Sequence, residues 1–300
     1  MSASPATRAP LGTMQQVGVG VRVPIERSIH DGIAVIRRAG AAGAMPIVLL
    51  HGIGSNATSF EPLIDSLDEH CAILAWDAPG YGESRPLDAE WPQVQDYVLA
   101  LEQLLDRLQI ARAVFVGHSL GALIAARFAA AKPEQTAGVV LLSPAVGYGT
   151  VPGDPLPDGV RARVDELARL GSKAFAAARA PGLLYQPGLH PETTRRVEAA
   201  MAAVQMPGYR QAARMLASAQ IFDDVAALQV PTVVACGAHD RVTPPAQTAR
   251  VAAAVPVAMR VEPAVALIDG AGHALPQEQP RKVAELIATV IDRHVGSAHG

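Results

Sequence analysis

Four short segments of the chain carry residue types suited to nucleophilic catalysis, and each follows an apolar run. The first is Gly117-His118-Ser119-Leu120-Gly121. A serine on a sharp turn between a strand and a helix is held in a strained backbone conformation. It needs small residues two places before and after it, because the chain passes close to itself there. The run AVFV precedes this segment and the helical pattern LIAARFAAA follows it. Chance can place such a pattern in an Ala/Gly-rich chain, but the strand-before, helix-after context marks Ser119 as the expected nucleophile. Its hydroxyl would stand over a helix N-terminus, whose dipole favours developing negative charge.

The second segment, His51-Gly52-Ile53-Gly54-Ser55-Asn56, directly follows PIVLL. A glycine-rich turn here can present a backbone N–H to a carbonyl oxygen. With the N–H after the nucleophile it would form an oxyanion hole, donated by the backbones of Ile53 and Leu120. The glycines equally suit a plain strand-to-helix loop, and His51 is expected to brace that loop. In the third segment, Gly237-Ala238-His239-Asp240-Arg241-Val242-Thr243-Pro244-Pro245, Asp240 lies past a buried strand and before a Pro-initiated helix. On local grounds it serves as a helix N-cap or as the acid that orients a histidine. The fourth, Gly270-Ala271-Gly272-His273, follows VALID and puts a histidine in a glycine-rich loop. Chain order decides the roles: Ser…Asp…His makes His273 the general base and Asp240 its orienting acid, and leaves His239 out of order. The contexts of His30, His70, His118, His190, His294 and His299 are weaker, and His118 is expected to pack locally.

The elements that must carry these segments are legible in the hydropathy pattern. The runs at 46–52, 72–77, 113–119, 138–143, 232–237 and 265–270 are near-continuously apolar, as in parallel strands covered on both faces. The runs at 17–25 and 32–40 alternate and predict an opening antiparallel pair. Helical patterns lie at about 57–69, 91–109, 121–132, 245–255 and 278–294. Such alternation predicts an α/β fold: a doubly wound, mostly parallel central sheet flanked by helices. The interval 145–215 has no strand pattern. It opens with SPAVGYGTVPGDPLPDG and continues in Ala- and Arg-rich helices, which predicts a helical cap inserted between two late strands. The core is then 16–144 and 216–295, with a flexible N-terminus over 1–15.

Composition excludes several classes. The 300 residues are half apolar and carry a formal net charge of -3, which supports a large core and gives no basic footprint for nucleic acid. The two cysteines, Cys71 and Cys236, lie in strand-like runs and read as buried thiols, with no disulfide or metal-ligand spacing. No apolar stretch has the length of a membrane span, and the N-terminus lacks an apolar signal region, so a cytoplasmic location is expected.

Taken together, HGIGSN, DAPGYGES, GHSLGA, GAHDRVTPP and GAGHALPQEQP resemble the α/β-hydrolase superfamily over about residues 30–295. The stretch from Met206 through IFDDVAALQVPTVVACGAHDRVTPP is similar to the 3-oxoadipate enol-lactonase branch. The resemblance implies a serine hydrolase of esters or lactones, including enol-lactones, working through an acyl-enzyme without cofactor or metal. It also implies a structural turn at Asp77–Gly82 and a cap over the active site. A carbon–carbon bond hydrolase of ring-cleavage products is the alternative, although His118 and Ala274 stand where many such enzymes carry Asn and Trp. Perhydrolase, haloperoxidase and peptidase chemistry use the same triad, and a silent binding protein is a third class that an intact triad disfavours. For the substrate pocket the cap offers Leu183, Leu184, Tyr185, Met201, Met206 and Met215. Arg210 and Arg214, at helical spacing, are candidate receivers of a substrate carboxylate. The only partner expected is a small-molecule ester or lactone.

Overall fold

A computed structural model describes residues 24–298. Eight strands form one sheet: β1 Ile25–His30, β2 Ile33–Arg38, β3 Ile47–Leu50, β4 Ile73–Trp76, β5 Ala113–His118, β6 Thr136–Leu142, β7 Thr232–Gly237 and β8 Ala266–Ile268. Their order is β1-β2-β4-β3-β5-β6-β7-β8. The pairings β1–β2 and β2–β4 are antiparallel and the others parallel. The chain therefore steps outward from β3 to β4 and then returns past β3 to β5. The carboxyl ends of β3 and β5 flank that reversal, the position where open α/β sheets bind ligands.

Strands β3 to β7 are buried along their whole length, and their two faces feed separate cores. Val48, Leu50, Leu74, Trp76 and Phe115 join one core with helices Val94–Arg107 and Leu120–Ala131. Ile47, Leu49, Ile73, Val114 and Val116 join the other with Phe60, Leu63, Val283, Ile287 and Val290. The split is the period-two alternation of a strand covered on both sides.

Two expectations about elements are corrected by the structure. Residues 17–23 lie outside the described residues, as does the 1–15 tail. The partner of β2 is the later run Ile25–His30, joined to it by Asp31 and Gly32 at φ 49° and 84°. Both residues of that turn are left-handed, as a tight hairpin demands. The helix predicted over 57–69 is a short 3-10 turn, Ala57–Phe60, and one helical turn, Glu61–Ile64. Beyond it Ser66 Oγ bonds the Pro62 carbonyl at 2.8 Å and Asp68 Oδ1 accepts from His70 N–H at 2.8 Å. Such side-chain bonds offer the backbone an alternative to helix.

Between β6 and β7 lies a helical layer: Asp158–Arg179, Pro191–Ala202, Gly208–Ser218 and the short Phe222–Ala226, with no strand among the described residues. A boundary at 215 would cut the third helix, which continues to Ser218 with Leu216 and Ala217 buried. The first helix is two segments meeting at Gly171, whose φ of 73° and ψ of 161° are not helical. A straight helix would separate Glu166 from Arg179 by about 20 Å; the kink brings Oε2 and Nη2 to 2.6 Å. The layer is seated on the core by close backbone contact. A Cβ on Gly80 would lie 2.4 Å from Gly208 Cα, and Trp91 Nε1–H donates to the Arg214 carbonyl at 2.9 Å. No helix among the described residues is long and apolar enough to cross a membrane.

Candidate active site

Ser119 sits between β5 and helix Leu120–Ala131 at φ 53° and ψ -111°. That conformation is costly for a residue with a side chain, and it is held by surroundings that admit no alternative. A Cβ on Gly117 would lie 2.4 Å from the Gly121 carbonyl oxygen, and one on Gly121 would lie 2.1 Å from the Leu50 carbonyl oxygen. Both glycines are thus sterically required, and the second clamps the elbow against the end of β3. Ser119 N–H donates to the Leu142 carbonyl at 2.9 Å, tying the turn to β6 as well.

Asp240 and His273 meet across two loops. His273 Nδ1–H donates to Asp240 Oδ2 at 2.9 Å, and both residues are buried, at 6% and 3% exposure. The other oxygen, Oδ1, accepts from the N–H groups of Val242 and Thr243 at 2.8 and 2.9 Å. Asp240 does not cap the following helix, whose N-cap is Pro244; it turns the loop backbone with one oxygen and holds the histidine with the other. Burial alone would raise its pKa. The His273 bond and charge, with the Thr243 N–H, outweigh that and hold the carboxyl well below its ordinary range.

Three further residues shape this pair, and sequence reading assigned them no such part. Thr243 Oγ1 lies 2.8 Å from Asp240 Oδ2, 3.0 Å from the Ser143 carbonyl and 3.2 Å from His273 Nδ1. His118, expected to pack locally, donates Nε2–H to the His273 carbonyl at 2.7 Å, 155 residues along the chain. Burial first, and then the nearby His273, push its pKa down to about 3, so it is a neutral donor. Glu278 accepts from Gly272 N–H at 2.8 Å with one oxygen and from Tyr185 N–H at 2.7 Å with the other. Burial pushes its carboxyl up to about 7 against the pull of those two donors. The Leu183 carbonyl accepts from His273 N–H at 2.7 Å, so the helical layer is bonded directly to the histidine loop. The segment GHALPQEQP held the signal for Glu278, an acid five residues after the histidine, but spacing alone assigns it no partner.

The Gly52–Gly54 turn faces the elbow. Tyr81 Oη–H donates to the Ile53 carbonyl at 2.8 Å, fixing the peptide plane on one side of Ile53. Leu120 is the first residue of its helix, so its N–H has no partner four residues back. His51 braces the loop as expected: Nδ1–H donates to the Gly52 carbonyl at 2.8 Å and Nε2 accepts from Ala78 N–H at 2.9 Å. That bonding requires a neutral ring, in line with a pKa lowered by burial.

A cavity of about 390 Å³ opens beneath the helical layer, and Ser119, His273, Ile53 and Leu120 all line it. Its volume accommodates roughly sixteen non-hydrogen atoms, scaling from a 150 Å³ cavity that binds benzene. Of the pocket candidates, Leu183 and Met201 line it, joined by Phe175, Val197, Tyr209 and Leu216. Leu184, Tyr185, Met206 and Arg210 do not. Leu184 is buried in the apolar core, and Tyr185 stacks on His239 with ring centroids 3.9 Å apart. Met206 packs half-buried against the same core, and Arg210 faces solvent. Which neighbour each of these side chains meets is set by the fold of the layer. Arg214 is engaged with Glu90 at 2.9 Å and with the Trp91 ring. Among the described residues no cluster of His, Cys, Asp or Glu has metal-binding geometry.

Comparison with known proteins fits this architecture. Residues 47–286 match the family model described as the alpha/beta hydrolase family. A protein of Mycobacterium phage D29 named as a non-heme haloperoxidase is 36% identical over 120 residues, which are 40% of this chain and 42% of that protein. The chain thus spans less than half the length of that relative. The lipase LipV of Mycobacterium tuberculosis is 29% identical over 84% of this chain and 95% of its own. The crystal structure of the enol-lactonase from Burkholderia xenovorans LB400 superposes with a TM-score of 0.76 at 22% identity, over 89% of this chain and all of that one. With its sheet, elbow and family match in agreement, the chain belongs to the alpha/beta hydrolase family.

Proposed function

We propose that the protein hydrolyses a carboxylic ester or lactone of modest size through Ser119, His273 and Asp240. The observation that carries this reading is the buried 2.9 Å His273–Asp240 bond beside a cavity whose wall also holds the strained Ser119. A proton on Nδ1, fixed by Asp240, leaves Nε2 as the lone-pair nitrogen. His273 then takes the Ser119 proton as the hydroxyl oxygen attacks the carbonyl carbon. Negative charge moves onto the carbonyl oxygen, where the Ile53 and Leu120 N–H groups receive it, each contributing about 3 kcal/mol. Collapse of the adduct expels the alkoxide, which takes the proton back from His273. Water, deprotonated by the same nitrogen, releases the acid from Ser119. The helical insertion acts as the cap that shapes the acyl and leaving-group space.

The test is a panel of short-chain esters, lactones, enol-lactones and vinylogous diketones, assayed with wild type and Ser119→Ala. Ester or lactone turnover should fall on the order of 10⁵-fold in the variant, with its melting temperature retained. Undiminished activity would remove Ser119 from the chemistry. Faster turnover of the diketones than of any ester would make the carbon–carbon reading the better one.

A further inference from the structure

Four arginines of the helical insertion are half-buried: Arg163, Arg179, Arg196 and Arg214. Three of them hold a carboxylate. Arg179 pairs with Glu166 at 2.6 Å, Arg196 with Glu192 at 2.6 Å and Arg214 with Glu90 at 2.9 Å. Arg163 has no such partner among the described residues, and it is the one that lines the cavity without a counter-charge. Arg179 lines it too, already neutralised by Glu166. No aspartate or glutamate contributes to the cavity wall.

The surroundings of Arg163 make its lack of a partner costly. Its wall is built from apolar groups such as Phe175, Val197 and Leu216. Its Nε is buried without an acceptor. The Tyr209 hydroxyl lies against the guanidinium, and being neutral it leaves the charge uncompensated. A half-buried cation without its counter-ion loses hydration that a neutral hydroxyl repays only in part. The planar fork of an arginine is matched in shape and charge by a carboxylate.

From this we infer that Arg163 is an anion subsite and that the substrate is an ester or lactone carrying a free carboxylate in the remainder of the molecule. This rests on the proposed hydrolase reading for the reacting bond, but not for the anion. The receiver expected from sequence, Arg210, faces solvent, and Arg214 is occupied by Glu90. Arg163 takes that part because the first segment of the kinked helix turns it inward.

Binding and turnover test the two ideas separately. Calorimetric titration of the Ser119→Ala protein with monomethyl glutarate and with dimethyl glutarate reads the subsite without chemistry. The half-ester should bind about 10- to 100-fold more tightly. Arg163→Gln in the same background should erase that preference, and Arg163→Lys should retain part of it. Equal binding of the two esters, no measurable half-ester binding, or a preference that survives Arg163→Gln would each overturn the subsite. Should Arg163→Gln fail to fold, Arg163→Lys carries the test, because an ammonium cannot reproduce the bidentate contact. Turnover by the wild type then judges the other reading. Selective half-ester binding with no ester hydrolysis retires the hydrolase assignment and keeps the subsite. Efficient hydrolysis without a half-ester preference does the reverse.

Discussion

The sheet edge and the helical layer above it face the same cavity, yet they are built on opposite terms. At the edge, Ser119 directly follows buried β5, Asp240 lies just past buried β7 and His273 lies beyond the partly exposed β8, and each is fixed by bonds to backbone. Ser119 is clamped by glycines that admit no Cβ, and Asp240 spends both oxygens on named partners. In the layer, the wall is made by side chains from three separate helices, the first of them bent at Gly171. The edge tolerates little change in residue type, whereas the layer can change its wall and keep its fold.

The sharpest way to break that contrast is at Asp240. Asp240→Asn keeps the shape but turns an acceptor for His273 Nδ1–H into a donor, forcing the wrong tautomer. We expect kcat to fall about 10³- to 10⁴-fold with KM little changed, measured on the best ester of the panel. A loss under tenfold would show that the buried pair is structural.

A second, intermediate effect concerns stability. His118 is neutral in the folded state, with a pKa pushed from 6.5 to about 3. A histidine whose folded pKa is depressed contributes stability above its unfolded pKa and loses it as pH falls towards the folded one. The unfolded chain binds a proton that the folded chain refuses, so stability drops by about 1.4 kcal/mol per pH unit in that window. Between pH 6.5 and 4.5 this amounts to roughly 2 kcal/mol, because the unfolded ring is only half protonated at the upper limit. Denaturant unfolding of wild type and His118→Asn across that range should show the difference between them shrinking by about that much as pH falls. A constant difference would mean that His118 accepts a proton in place. Burial raises the Glu278 carboxyl, whose contribution runs the other way, and comparing the two proteins at each pH cancels it.

The smallest effect is expected in the layer, at a position the cavity does not touch. Arg210→Ala should alter kcat/KM for any ester by less than about twofold, as ordinary exposed substitutions do for stability. A tenfold change confined to carboxylate-bearing esters would move the anion subsite from Arg163 to Arg210.

The amino-acid sequence by itself determined the sheet and its chemistry-bearing loops. Near-continuous apolar runs specify buried parallel strands, and strained, glycine-flanked or glycine-rich turns at their ends leave few residue types possible. Hence the placement of Ser119, Asp240 and His273 at the sheet edge, and the bracing role of His51, were legible in local pattern and chain order. The helix expected over 57–69 stops at Ile64, and Ser66 and Asp68 bond the backbone locally beyond it. Tertiary structure alone decided what meets across the chain: His118 with the His273 carbonyl, Glu278 between Gly272 and Tyr185, and Arg163 rather than Arg210 in the cavity wall. Helical periodicity says which residues share a face, but the direction of that face depends on a kink and on packing partners far away in sequence.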